Sequence, residues 1–143
     1  MLKCATSLWS ADLSNLGAEI QRIEPYSERF HFDVADGHHM KTLLFFPDLV
    51  RALRKYTRLP FEVHLYVTDP LSWVTPFVEA GADRIIFGMD STKDPAGVVK
   101  AIKGHGKQVG ISLFGPYLLG AEMAAFLLLA GLVGAFHLGR RRN

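Results

Sequence analysis

A parallel α/β fold is expected of this 143-residue chain on three grounds. Short runs rich in β-branched and aromatic residues alternate with longer segments of helical periodicity. Two of those helical segments open on an Asp-Pro pair, and glycines stand near helix ends. Each strand candidate has one apolar face and a second face that turns polar toward its C-terminal end. An open parallel sheet covered on both sides would be apolar on both faces, whereas a (β/α)₈ barrel gathers its polar residues at the C-terminal mouth of the strands.

The elements follow in order. The first strand run, "LKCATSL", places Ala5 and Ser7 on one face and leads to a helix over Asp12–Ile23. The second, "RFHFDV", sets Phe30, Phe32 and Val34 against His31 and Asp33 by period-two alternation. A helix over Pro47–Tyr56 precedes "FEVHLYV", in which Phe61, Val63 and Leu65 share a face and Glu62, His64 and Tyr66 take the other. Asp69-Pro70 opens a helix over Pro70–Ala80, an N-cap acceptor followed by a proline whose missing N–H is harmless in the first turn, with Gly81 near its end. "RIIFGM" brings Gly88 and Asp90 to one face. Asp94-Pro95 opens the last of these helices, Pro95–Gly104, and "QVGISL" places Gly110 and Ser112 together. The sum is β-α-β-α-β-α-β-α-β, with strands about 20 to 30 residues apart.

Composition narrows the function. Half of the chain is apolar, enough to bury a sizeable core. Sixteen basic residues stand against 14 acidic ones, and three of the basic ones are Arg140, Arg141 and Arg142. The body is therefore close to neutral, and no nucleic-acid partner is expected. The single cysteine, Cys4, makes no intrachain disulfide and points to a reducing, cytoplasmic setting. The start "MLKCATSLWSADL" does not read as a secretory signal.

His31 and Asp33 lie two residues apart on one strand face, and His64 stands at a similar height on the next strand. Two imidazoles and a carboxylate converging this way suit a divalent ion such as Zn²⁺, Mn²⁺, Fe²⁺ or Co²⁺. The same carboxylate has the chemistry of a general base. Against this, a histidine facing a sheet interior is more often a hydrogen-bonded core residue, and both readings stand from pattern alone. Glu62 is either a partner that orients a histidine or half of a structural ion pair. His38, His39 and Asp36 fit a turn after the second strand. Tyr66 and Met89 read as packing residues, and "GHGK" at 104–107 is too short and misplaced for a phosphate loop.

The segments "TSLWSADLSNLGAEI", "HFDVADGH", "FEVHLYVTDP", "FVEAGADRIIF" and "KGHGKQVGISL" come in the order and at the spacing of the ribulose-phosphate 3-epimerase family. The resemblance covers residues 4–113. It implies a (β/α)₈ barrel that interconverts ribulose 5-phosphate and xylulose 5-phosphate, or related ketose phosphates, with two aspartates on opposite sides of C3 and a metal-stabilised enediolate. Carried over by position, it implies that Ser7 and His64 contact substrate. It further implies that His31, Asp33 and His64 ligate the metal and that Asp33 is the acid/base.

Departures from the family pattern accompany these matches. Ala35 replaces the methionine of "DVMDGH", Tyr66 that of "HLM", and Gly88 a common histidine, while "MKTLLFF" stands where "VPNLTFG" is usual. The pocket's shape and its sugar are thereby open. Past Leu113 the family's "VDGG" segment, with its second aspartate, and its glycine-rich phosphate loops are not found.

Residues 114–143 form an apolar, non-family tail, expected to be helical. Over 117–138 it is just long enough for a membrane span, but Glu122, several glycines and His137 weaken that reading. The other readings are a helix covering an open barrel and, favoured, a frameshifted or truncated end. The expectation is thus an incomplete barrel of five parallel strands and four intervening helices, whose unpaired edges favour a homo-oligomer. The alternative is a catalytically inactive half-barrel, or a membrane-anchored protein that is no enzyme.

Overall fold

Phe30, Phe32 and Val34 alternate with His31 and Asp33 along one strand, and the structure, a computed structural model that describes residues 4–112, sends the two sets to opposite sides of a sheet. The strands are β1 (Ala5–Ser7), β2 (Arg29–Asp36), β3 (Leu43–Leu44), β4 (Phe61–Tyr66), β5 (Arg84–Gly88) and β6 (Gln108–Ser112). Their order is β1-β2-β4-β5-β6, and every pairing along that path is parallel. The helices α1 (Leu16–Ile23), α2 (Pro47–Leu53), α3 (Pro70–Glu79) and α4 (Pro95–Gly104) connect them. Five parallel strands with four helices between them are the expected α/β architecture and agree with a partial TIM barrel. The helix expected within 114–143 lies outside the described residues, as does the span considered over 117–138. No helix among the described residues is long and apolar enough to cross a membrane.

The core lies between the sheet and its helices. Phe30 and Phe32 of β2 and Phe61, Val63 and Leu65 of β4 are buried against Ile20, Val50, Phe77, Val98 and Ile102. The Phe61 ring meets Phe32 edge-on at 4.7 Å and Phe30 at 6.5 Å. Each large side chain buried this way contributes about 1.5–3 kcal/mol. The opposite face of the sheet is thereby left to the polar residues of the same strands.

Helix ends follow the expected chemistry with two exchanges of role. Asp94 caps α4 by accepting from the Gly97 N–H at 2.9 Å. Asp69 makes no such bond at α3, because its carboxylate accepts instead from the Ser72 hydroxyl. At the end of α3, Gly81 adopts φ +100°, its N–H reaches Val78 O, and the Ala82 N–H reaches Phe77 O. That is a Schellman closure. The end of α4 has the same closure, but the left-handed residue is Gly106 (φ +70°), with Gly106 N–H on Lys103 O and Lys107 N–H on Ile102 O. Gly104 is simply the last helical residue.

Three further boundaries differ from expectation. α1 begins at Leu16 rather than Asp12, because Asp12 is spent on a local turn, accepting from both the N–H and the hydroxyl of Ser14. Past Leu53 the second helix tightens to a 3₁₀ turn over Arg54–Tyr56. The two-residue β3, antiparallel to β2 through Ala35↔Leu44 and Asp36↔Leu43, has no counterpart in the expected order.

Candidate metal centre

Sheet register builds the site. Ser7 pairs with His31, Asp33 with His64, and His31 with Glu62, so alternation turns all five toward the polar face. On that face one ligand atom each from His31, Asp33 and His64 lies within 4.8 Å of the others, a spread that side-chain adjustment brings within reach of one cation. The two imidazoles stand edge to face at 5.6 Å. Asp33 and His64 are buried, and His31 is half-buried.

Both oxygens of Asp33 are engaged. Ser7 Oγ donates to Oδ2 at 2.8 Å, and His31 Nε2 stands 3.0 Å from Oδ1. Burial pushes the Asp33 carboxyl up, but the His31 hydrogen bond and charge and the Ser7 hydroxyl outweigh it and leave the group below its ordinary value. It is an ionised base at neutral pH. Burial also drives His64 down to about 4, with the neighbouring His31 adding to the effect. Its imidazole is therefore neutral, and among the described residues its Nε2 is a buried polar atom with no hydrogen-bond partner. Burial opposes the charge on His31, but hydrogen bonds to Asp33 and Glu62 raise it above its ordinary value.

The donor set fits a divalent ion. A buried ring nitrogen without a partner is costly, and metal ligation is one of the few ways to satisfy it. Two imidazoles and a carboxylate are a common set for Zn²⁺, Mn²⁺, Fe²⁺ or Co²⁺.

Glu62 plays both of the roles left open by its sequence. Its Oε1 stands 2.9 Å from His31 Nδ1, while its Oε2 takes Arg84 Nη1 at 2.9 Å and Arg29 Nη1 at 3.4 Å. The arginines are the residues that sequence reasoning missed. Part of the signal was available, since Arg29 shares the strand parity of His31 and Arg84 that of Gly88, but only the register of β4 on β5 sets Arg84 opposite Glu62. Burial raises the Glu62 carboxyl, and His31 with the two arginines brings it below the usual range.

The remaining candidates fall outside the ligand group. Asp36 closes the turn after β2, its Oδ1 accepting from the N–H groups of His38 and His39 at 2.8 and 2.9 Å. Tyr66 packs on His64 with ring centroids 4.0 Å apart. Met89, expected to pack, is instead 41% exposed, in the 3₁₀ turn that follows β5. An apolar cavity of about 560 Å³ opens among core residues such as Leu16, Val34, Phe45 and Phe77 and is lined by none of the three candidate ligands.

Residues 3–118 match the family model described as Ribulose-phosphate 3 epimerase family. A ribulose-phosphate 3-epimerase of Treponema pallidum is 41% identical over 110 residues, 76% of this chain and 50% of the relative. Proteins of the same name from Chlamydia pneumoniae and Chlamydia trachomatis are 36% identical over 107 residues and 33% over 130, covering 74% and 90% of this chain. The chain spans about half the length of these relatives, which it covers to 47–55%.

Proposed function

The chain belongs to the ribulose-phosphate 3-epimerase family, and we propose that it carries the metal-holding, proton-transferring half of an epimerase site for a ketose phosphate such as D-ribulose 5-phosphate. The observation that carries this reading is the convergence of His31, Asp33 and His64, with the unpartnered Nε2 of His64 among them.

In this reading His31 Nε2, an Asp33 oxygen and His64 hold the ion. A divalent cation held there would offset negative charge developing on the sugar oxygens beside C3 and so acidify the C3 proton. Asp33 takes that proton, its carboxylate held ionised by His31 and aimed by Ser7. Ser7, at the end of β1, also contacts the sugar, as does His64. The burial of Asp33 and His64 strengthens the interactions those two groups make. Among the described residues Asp33 is the only carboxylate of the ligand group, so this half performs removal and return of the proton on one face. Inversion at C3 needs an acid on the other face. A reducing, cytoplasmic setting and a homo-oligomer joined through strand edges belong to the same reading.

The test is isotope exchange. The full chain, incubated with D-ribulose 5-phosphate in D₂O and added Mn²⁺, Zn²⁺, Fe²⁺ or Co²⁺, should place deuterium at C3, read by mass spectrometry. A coupled assay for xylulose 5-phosphate run in parallel shows whether inversion accompanies exchange. Asp33→Asn should abolish both signals. A chain that binds metal yet exchanges nothing at C3 is a non-catalytic half-barrel, and the proposal is then wrong.

A further inference from the structure

Glu62 faces three partners, and the way it divides its oxygens assigns it a job. Register places His31, Glu62 and Arg84 side by side on β2, β4 and β5, and Arg29 sits two residues before His31 on the same face. Oε2 is held by two guanidinium groups, Arg84 at 2.9 Å and Arg29 at 3.4 Å, and Arg29 is itself anchored to Glu28 at 2.8 Å. Oε1 is thereby left to His31 Nδ1 at 2.9 Å. An ionised carboxylate only accepts, so the Nδ1 facing it carries a proton, and in the metal-free chain Nε2, 3.0 Å from the ionised Asp33, carries one as well.

We propose that Glu62 is a positioning residue that keeps the Nδ1 proton of His31 in place, so that a metal ion taken up beside Asp33 and His64 displaces the Nε2 proton and finds that nitrogen as its ligand. The inference rests on the metal-site reading and extends it to a residue that touches neither metal nor substrate. The arginines give the clamp its polarity. Because they donate only, they compel the group at position 62 to turn an acceptor toward them.

That polarity makes Glu62→Gln informative. The amide keeps the length of Glu62 but has one acceptor and one donor end. Arg29 and Arg84 capture its carbonyl, so its NH₂ faces His31 Nδ1 and demands a lone pair there. The one proton left to the ring is then the one on Nε2 facing Asp33, and the ligating nitrogen is blocked. Glu62→Asp keeps the charge but withdraws the carboxylate by one methylene, loosening the clamp without reversing it.

The experiment titrates the full chain with Co²⁺ and Zn²⁺, using the Co²⁺ absorption bands and calorimetry for affinity. In parallel, ¹⁵N-histidine spectra of the Zn²⁺-loaded protein report which nitrogen of His31 carries the proton. Glu62→Gln should weaken metal binding about 10- to 100-fold, with Glu62→Asp intermediate and far-ultraviolet dichroism unchanged. His31 in the unsubstituted, loaded chain should show a protonated Nδ1 and a ligated Nε2. Equal affinity in Glu62→Gln overturns the inference and leaves the metal site standing. Where that variant does not fold, an unprotonated Nδ1 in the unsubstituted chain overturns it just as directly. No metal binding by the unsubstituted chain overturns the site and the clamp together, an outcome that His64→Ala, behaving identically, would mark as failure of the site itself.

Discussion

Ser7 Oγ donates to Asp33 Oδ2 at 2.8 Å, tying the end of β1 to the one carboxylate of the ligand group. A hydroxyl donated to a carboxylate stabilises its ionised form, so Ser7→Ala should raise the Asp33 pKa. Ser7 is exposed, and the loss of stability should stay near about 1 kcal/mol. Carboxyl ¹³C titration of Asp33 in the two proteins checks the direction. An Asp33 pKa that is unchanged or lower in Ser7→Ala would mean the bond contributes nothing to its ionisation.

His64 makes the metal-free protein acid-sensitive over a defined window. Its folded pKa is near 4 against an ordinary 6.5, so between those values the unfolded chain binds the extra proton and stability rises with pH. The full contribution is present above about pH 6.5 and is lost as pH falls toward 4, by up to about 3 kcal/mol. His31, raised rather than lowered, acts with the opposite sign, its contribution fading as pH rises through its folded pKa. Urea melts between pH 4 and 7 should therefore show a flatter profile for His64→Gln than for the unsubstituted chain. If His64 ligates the ion as proposed, saturating Zn²⁺ should steepen the profile, since only the neutral imidazole can ligate.

Asp36 ties two loops together. Its Oδ1 accepts from His38 and His39 N–H, and its Oδ2 from the Thr68 N–H and hydroxyl at 2.8 and 2.9 Å. These bonds outweigh burial and hold the carboxyl well below its usual range. The contribution to stability is present above the unfolded pKa and is lost as pH falls below it. Since Asp36 is partly exposed, Asp36→Ala should cost about 1–2 kcal/mol rather than the sum of four buried bonds. Hydrogen exchange should quicken at His38, His39 and Thr68 together. Acceleration confined to 38–39 would show that the tie to Thr68 is incidental.

Sequence made the sheet legible wherever alternation and burial agree. β2 and β4 could be assigned to faces residue by residue because Phe30, Phe32, Phe61 and Val63 interleave with polar groups. The ligand group followed from the same parity. Capping was harder, since Asp69-Pro70 and Asp94-Pro95 are the same dipeptide and only a serine at position 72 diverts the first from its helix. Gly104 and Gly106 were likewise indistinguishable until the helix end was known to the residue. The Glu62 clamp depends on Arg84 lying opposite Glu62, and register across β4 and β5 is a tertiary fact that no local pattern states. β3 is two residues held by pairing alone, below the length at which any periodicity shows.

Gly17 offers a test of packing against propensity. It is the second residue of α1, and replacing glycine by alanine in a helix ordinarily stabilises it by up to about 1 kcal/mol. Here a methyl at Gly17 would stand 2.6–2.8 Å from three atoms of the Tyr56 ring, which packs on the core from the 3₁₀ turn after α2. The ring must move, and in moving it gives up its contacts with α1. Gly17→Ala should therefore destabilise by about 1 kcal/mol, the overpacking penalty exceeding the gain in propensity. In a Tyr56→Ala background the obstruction is gone, and the same substitution should become stabilising. Denaturant melts of the four proteins in this cycle should give a coupling of about 2 kcal/mol, the difference between the two responses. A Gly17→Ala protein as stable as its parent, with no coupling to Tyr56, would mean the ring swings aside freely and α1 is not held against the 3₁₀ turn at this point.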